Sequence, residues 1–276
     1  MRILLAGGTG VIGSRLLPEL VAAGHEVVAT TRREDRLALL ESLGARGVLL
    51  DVYGAERVAA TLAEAAPELV LHQLTDLSGN DREANARVRR EGTANLVAGA
   101  AAAGVDRMIV QSITWVFPDG DTPATEDDPI VPGTAVDVME GLARCLPRAT
   151  VLRYGMLYGP GTWYAPGGRI AAAVAAGQVP ANPAITSFVH VDDAVAATVQ
   201  SLDWPDGTYH VVDDEPAPAT EWLPVYAAGI GAPAPQTASL PEGAPVGRAV
   251  SNAKARAAGW TPVHPSWRAG FRRPRG

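Results

Sequence analysis

The sequence predicts an α/β fold, a doubly wound parallel sheet followed by a small C-terminal lobe. Short apolar runs alternate with helical patterns through residues 1–155. The runs are continuously apolar rather than alternating, as strands buried on both faces require. A glycine-rich turn, Gly7-Gly8-Thr9-Gly10-Val11-Ile12-Gly13, follows the first run and opens the first helical pattern.

Taken in order, strands are expected at 2–6, 26–31, 47–50, 68–72, 107–111 and 150–154, with helices at 12–23, 36–43, 55–65 and 84–103. Crossover connections between such strands give a sheet covered on both faces. After Tyr154 the character changes to turn chemistry, Gly159-Pro160-Gly161 and Pro166-Gly167-Gly168. A strand and a helix return at 187–189 and 192–202, then a strand at 208–212 and a helix at 220–228. The predicted division is a core of 1–155, to which 187–213 returns, and a small substrate lobe of 156–186 and 214–276. A chain of 276 residues is long enough for both.

Composition narrows the partners. The net charge is −7 and no basic run tracks along the chain, which argues against nucleic acid. The dense basic group Arg268, Arg272, Arg273 and Arg275 reads as a solvated tail. No apolar stretch reaches the length of a membrane span or a secretion signal, so a cytoplasmic protein is expected. Cys145, the single cysteine, reads as helix packing. The five histidines are scattered without ligand-pair spacing, so no metal is expected. Glu126-Asp127-Asp128 reads as an exposed acidic loop. Oligomeric state is not legible.

The glycine turn carries the cofactor assignment. Gly7 makes the tight turn, Gly10 clears space for a pyrophosphate, and Gly13 lets the helix pack closely on the sheet. The helix N-terminus offers free N–H groups and partial positive charge to phosphates. These features mark a Rossmann-type dinucleotide site, with Thr9, Val11 and Ile12 completing the loop. The second strand ends in Arg32-Arg33, where an NAD site places an acid for the ribose 2′-OH. Two guanidiniums there suit a 2′-phosphate, so NADP(H) is the expected cofactor. Asp51, after the third strand, has two readings, an adenine contact or a helix N-cap. Val52, Gln73, Leu74, Thr75, Gln111, Tyr154 and Met156 complete the expected cofactor set. His72 reads as a satisfied core histidine and His190 as structural.

Three later signatures join the glycine turn: Arg153-Tyr154-Gly155-Met156-Leu157-Tyr158-Gly159-Pro160-Gly161, Ser187-Phe188-Val189-His190-Val191-Asp192-Asp193-Ala194, and Ser251-Asn252-Ala253-Lys254-Ala255-Arg256 leading to Gly259-Trp260. Together they resemble the extended short-chain dehydrogenase/reductase family, which includes NAD-dependent epimerases and dehydratases. Its catalytic pair does not carry over. The family uses a Tyr four residues before a Lys, whereas Lys254 is the only lysine here and no Tyr lies between Tyr53 and Tyr154. Aligned on Glu140, Pro132 and Val136 take those two positions. Ile113 falls at the family's Ser/Thr position, flanked by Ser112 and Thr114, and Arg89 replaces a common Asn.

With Thr30-Thr31-Arg32, Gln111–Trp115 and Val212-Asp213-Asp214-Glu215-Pro216, the pattern resembles atypical reductases that tailor aromatic polyketides, angucyclinones in particular. The resemblance implies NADPH-dependent reduction of a ketone on an aromatic small molecule. Losing the tyrosine acid forfeits about 10²–10⁴-fold. Ser112, Thr114 or Tyr158 would then polarise the carbonyl, or a phenol on the substrate would. Trp115, Trp163 and Tyr164 are the expected aromatic contacts. A non-catalytic NADP(H) sensor or scaffold is the rival reading, and a nucleotide-sugar epimerase or dehydratase the third.

Overall fold

The computed structural model describes residues 1–77 and 81–272; the basic residues Arg273 and Arg275 lie outside them. A seven-stranded sheet has the spatial order β10-β6-β5-β4-β1-β2-β3. Its strands are β1 (Arg2–Ala6), β2 (Glu26–Thr31), β3 (Arg46–Leu49), β4 (Leu69–His72), β5 (Arg107–Ile113), β6 (Arg148–Tyr154) and β10 (Gly207–Val211). The pairs β1–β2, β2–β3, β1–β4 and β4–β5 run parallel. In β4 all four residues are buried, and in β1 all but Arg2, which explains their unbroken apolar character. Chain order reverses between β1 and β4, and that switch point is where a doubly wound sheet opens a ligand crevice.

The helices follow the 3.6-residue period. Gly13, Leu16, Leu17 and Leu20 are the buried stripe of the helix Gly13–Ala22. Val58, Thr61, Leu62 and Ala65 play the same part in the helix Ala55–Ala65. The long helix expected at 84–103 is three pieces. Arg82–Arg87 is α-helical and capped by the Asp81 carboxylate, Val88–Gly92 widens to a π-turn, and Thr93–Ala102 returns to α. Apolar spacing is blind to one extra residue in a turn, so no sequence signal marks the widening.

The chain divides into two compact units. The first comprises Met1–Ser112, Pro132–Leu152 and Thr198–Thr208; the second comprises Ile113–Val131, Arg153–Ala197 and Tyr209–Gly276. One break falls at Ser112, and the first unit resumes over Pro132–Leu152 and Thr198–Thr208. The second unit claims 113–131 because that segment bonds within it. Thr114 N–H donates to the Tyr154 carbonyl, Val131 N–H to Val116, and the Asp119 carboxylate accepts from Val246 and Gly247.

Two short pairings complete the second unit. Strand β7 (Met156–Tyr158) runs parallel to β9 (Phe188–His190), and β8 (Ile185–Thr186) antiparallel to β11 (Ala217–Pro218). Its core is an aromatic cluster of Tyr158, Tyr164, Phe188, Trp222, Tyr226, Trp267 and Phe271. Asp193 ties later chain to this core, its carboxylate accepting from the N–H groups of Val263 and His264. Two surface readings need correction. Cys145 is exposed rather than packed. Glu126 is not a loop acid in water: its side chain is 7 % exposed and accepts from His210 N–H at 2.8 Å.

Candidate functional site

A cleft opens in the first unit at the switch point. It is lined by the turn after β1 (Gly7, Thr9, Gly10), the end of β2 (Thr30 to Arg33), residues Leu50 to Tyr53, and Gln73 to Thr75 after β4. These are the ends of neighbouring parallel strands, so the sheet itself brings them together.

The glycines fit a dinucleotide. Gly7 has φ +95, a conformation that L side chains rarely adopt. A Cβ on Gly13 would stand 2.2 Å from the Gly7 carbonyl oxygen, so only glycine lets the helix start this close to the turn. A Cβ on Gly10 would meet only that same oxygen, at 3.4 Å. The Gly10 position thus faces space that the protein leaves open, beside the first N–H groups of a helix. Such a cradle suits a pyrophosphate.

At the far end, both arginines line the cleft and both already hold carboxylates. Arg32 Nη1 lies 2.8 Å from Asp76 Oδ2, and Arg33 grips Asp35 through two bonds, at 3.0 and 2.6 Å. The Asp76 bond is the main reason the Arg32 guanidinium holds its proton more tightly than usual. The N-cap reading of Asp51 is corrected. Its Oδ1 accepts from Tyr53 N–H in a local turn, and Gly54 is the N-cap of the following helix. Val52 and Asp51 line the cleft together with Tyr53, whose ring carries the Arg87 guanidinium 3.9 Å from its centroid. Tyr53, Val88 and Leu96 escaped sequence reading. Position after the third strand would have flagged Tyr53; Val88 and Leu96 are ordinary apolar helix positions.

His72 fixes the loop after β4. Leu74 N–H donates to its Nδ1, so its other nitrogen, Nε2, carries the proton and donates to Thr93 Oγ1 at 2.9 Å. Complete burial, helped by the nearby Arg89 charge, lowers its pKa from 6.5 to about 4. Gln111 then donates through Nε2 to the Leu74 carbonyl. Of the remaining cofactor candidates, Val11 is exposed, Ile12 is buried, and neither they nor Gly13, Gln111, Tyr154 or Met156 line the cleft.

The three catalytic hydroxyl candidates stand in different surroundings. Ser112 is 3 % exposed and donates at 2.7 Å to Glu140, a carboxylate with no exposure at all. Arg144 approaches the other oxygen of Glu140 at 3.0 Å. Tyr158 is packed in the aromatic cluster, its hydroxyl 3.4 Å from the Ser266 carbonyl, and burial raises its pKa. Thr114 is 4 % exposed, and its hydroxyl has no partner among the described residues. Among the aromatic candidates, Trp115 is 42 % exposed while Tyr164 is buried in the cluster, bonded through its carbonyl to Tyr226. Trp163 is half-buried under the Arg169 guanidinium, 4.0 Å away. Lys254 is a surface residue 4.9 Å from the Tyr209 ring. Among the described residues no cluster of side chains could hold a metal ion, and no helix is long and apolar enough to cross a membrane.

Comparison with known proteins bears on the same features. The sequence profile of the NAD dependent epimerase/dehydratase family matches residues 3–212. A "3-diazoavenalumate denitrifying reductase" of Streptomyces sp is 43% identical over 309 residues, covering 99% of this chain and all of the relative. A "2'-dehydrokanamycin reductase" of Streptomyces kanamyceticus is 29% identical over 223 residues, 73% of this chain and 58% of that one. Among solved structures, the UDP-glucose 4-epimerase of Thermus thermophilus in complex with NAD superposes with a TM-score of 0.80 at 25% identity, covering 99% of this chain and 97% of that chain.

Proposed function

Because the chain belongs to the NAD-dependent epimerase/dehydratase family, we propose that its cleft holds NADP(H) and that it reduces an aromatic small molecule without a tyrosine–lysine pair. The chain is a reductase of that family. One observation supports the finer reading: the glycine cradle is intact, while the helix Ala135–Ala143, in which alignment on Glu140 sets Val136 at the family's lysine position, contains no lysine.

Arg32 and Arg33 would receive the 2′-phosphate, Arg32 exchanging Asp76 for it and Arg33 exchanging Asp35. Each charge-assisted hydrogen bond is worth about 1.5–3 kcal/mol. Gly10 and the helix start behind it would take the pyrophosphate, and the Gln73–Thr75 loop, held by His72, would flank the rest. When bound, the cofactor supplies a hydride.

On the substrate side, Thr114 has the one candidate hydroxyl free to donate, and Trp115 offers an exposed aromatic face. Trp163 is a further contact. Ser112 is engaged with Glu140 and Tyr158 with the Ser266 carbonyl. A ketone takes hydride at carbon and a proton at oxygen, here from Thr114 or from a phenol beside the carbonyl. A second acceptor class is favoured by the relative whose name carries a diazo group and loss of nitrogen. An arenediazonium takes hydride at its ring carbon; the C–N bond breaks and dinitrogen leaves with the bonding pair. No oxyanion forms, so no acid is needed, and the missing tyrosine costs nothing.

The test is a panel of hydroxyaryl ketones and arenediazonium carboxylates with NADPH deuterated at the transferable hydride. Deuterium on the carbinol carbon identifies the ketone reaction. Deuterium on the arene with dinitrogen release identifies the diazo reaction. If the cofactor and an aromatic ligand bind and neither reaction occurs, the NADP(H) sensor is the better account.

A further inference from the structure

We propose that Arg89 receives the carboxylate of an aromatic substrate beside the part of this cleft that Val88 lines. The proposal rests on the aromatic-substrate reading above. Arg89 is half-buried in the π-turn Val88–Gly92. Among the described residues its guanidinium has no hydrogen-bond acceptor and no ion-pair partner. The nearby carboxylates are spent on its neighbours: Arg87 holds Glu91 through two bonds, at 2.6 and 3.1 Å, and Arg90 lies 3.8 Å from Glu83. Loss of water loosens its hold on its proton, and nothing in the surroundings compensates. A desolvated charge without a partner is costly, so a fold that retains one is poised for a counter-ion.

The location suggests which counter-ion. The Arg89 charge reaches His72, the residue that orients the loop after β4, and Val88 next to it lines the cleft. The π-turn is pressed against the cofactor side, since a Cβ on Gly92 would stand 2.9 Å from Val52 Cγ1. π-Turns within α-helices re-aim side chains and concentrate at functional sites. The cofactor phosphates have their own receivers in the glycine turn and in Arg32 and Arg33, and Arg89 itself does not line that groove. A planar guanidinium fork matches a carboxylate through two parallel bonds.

Calorimetric titration of the NADP⁺-bound protein with 4-hydroxycinnamate and with its methyl ester tests this. The native protein should prefer the acid. Arg89→Asn should weaken acid binding by about tenfold or more, an effect of about 1.4 kcal/mol, while ester and NADP⁺ affinities stay within about twofold. Arg89→Lys, which keeps the charge and guards against a folding defect, should fall between. Equal binding of acid and ester by the native protein, no binding of the acid, parallel losses for both ligands, or a loss of NADP⁺ affinity would overturn the proposal. Acid-selective binding that persists when no acceptor oxidises NADPH would instead count against the reductase chemistry and leave Arg89's role standing.

Discussion

Gly10 is the residue at which cofactor binding and folding separate most cleanly. A side chain there meets little of the protein, whereas at Gly13 it would strike the Gly7 carbonyl. Gly10→Val should therefore keep a native circular dichroism spectrum and lose measurable NADPH binding by calorimetry. Binding at native affinity would place the phosphates elsewhere. For Arg32→Ala, the preference for NADPH over NADH should drop by about 10- to 150-fold, the equivalent of one charge-assisted bond. Asp76→Asn should raise that preference, because it removes the carboxylate that competes for Arg32. His72 gives a pH signature. The unfolded chain protonates this imidazole below about 6.5, but the folded chain resists until about 4. Its contribution is complete above pH 6.5 and is lost as pH falls towards 4, by about 3 kcal/mol in all. Urea titrations across that range should show a steeper loss for the native protein than for His72→Asn. At this scale the glycines were legible in the sequence because they obey a spacing. Partnerships such as Arg32 with Asp76 were not, because 44 residues separate the two and no local rule joins them.

Strands were legible to within two residues at either end, since burial on both faces forces a continuous apolar run. The helix Ala55–Ala65 was legible to the residue. The π-turn and the strands β7, β8 and β11 were not, being too brief to show a period, whereas β9 is the strand expected at 187–189. The helix Ala135–Ala143 is instructive because its buried face includes a carboxylate. Val136, Met139, Glu140 and Ala143 are the buried stripe, and Glu140 is accepted there because Ser112 and Arg144 both donate to it. Removing one donor from a buried carboxylate costs about 1–3 kcal/mol or more. Ser112→Ala should thus lower the unfolding free energy from urea titration by that amount, with turnover of the folded variant within about tenfold of native. A larger fall in turnover with unchanged stability would return Ser112 to the chemistry.

For the molecule as a whole, the alternation of strand and helix was enough to predict the architecture, and the late motifs were enough to predict the family. Substrate chemistry was less legible, because a chain whose single lysine is Lys254 offers no tyrosine–lysine pattern from which to read it. Cofactor linkage can be measured before any substrate is known. Free NADPH at 100 times its dissociation constant should add about 2.7 kcal/mol to folding stability, and Gly10→Val should abolish that gain. The strand order has a consequence for how the chain is made. β1 lies inside the sheet; β2 and β3 extend it on one side, and β4, β5, β6 and finally β10 extend it on the other. Each strand leaving the ribosome can therefore dock on an edge that already exists, and none must be threaded between partners that have paired. The same order leaves one growing edge bare until β10 arrives, more than 50 residues after β6. That interval, rather than the finished fold, is when a nascent chain is most open to wrong pairing and most in need of a chaperone.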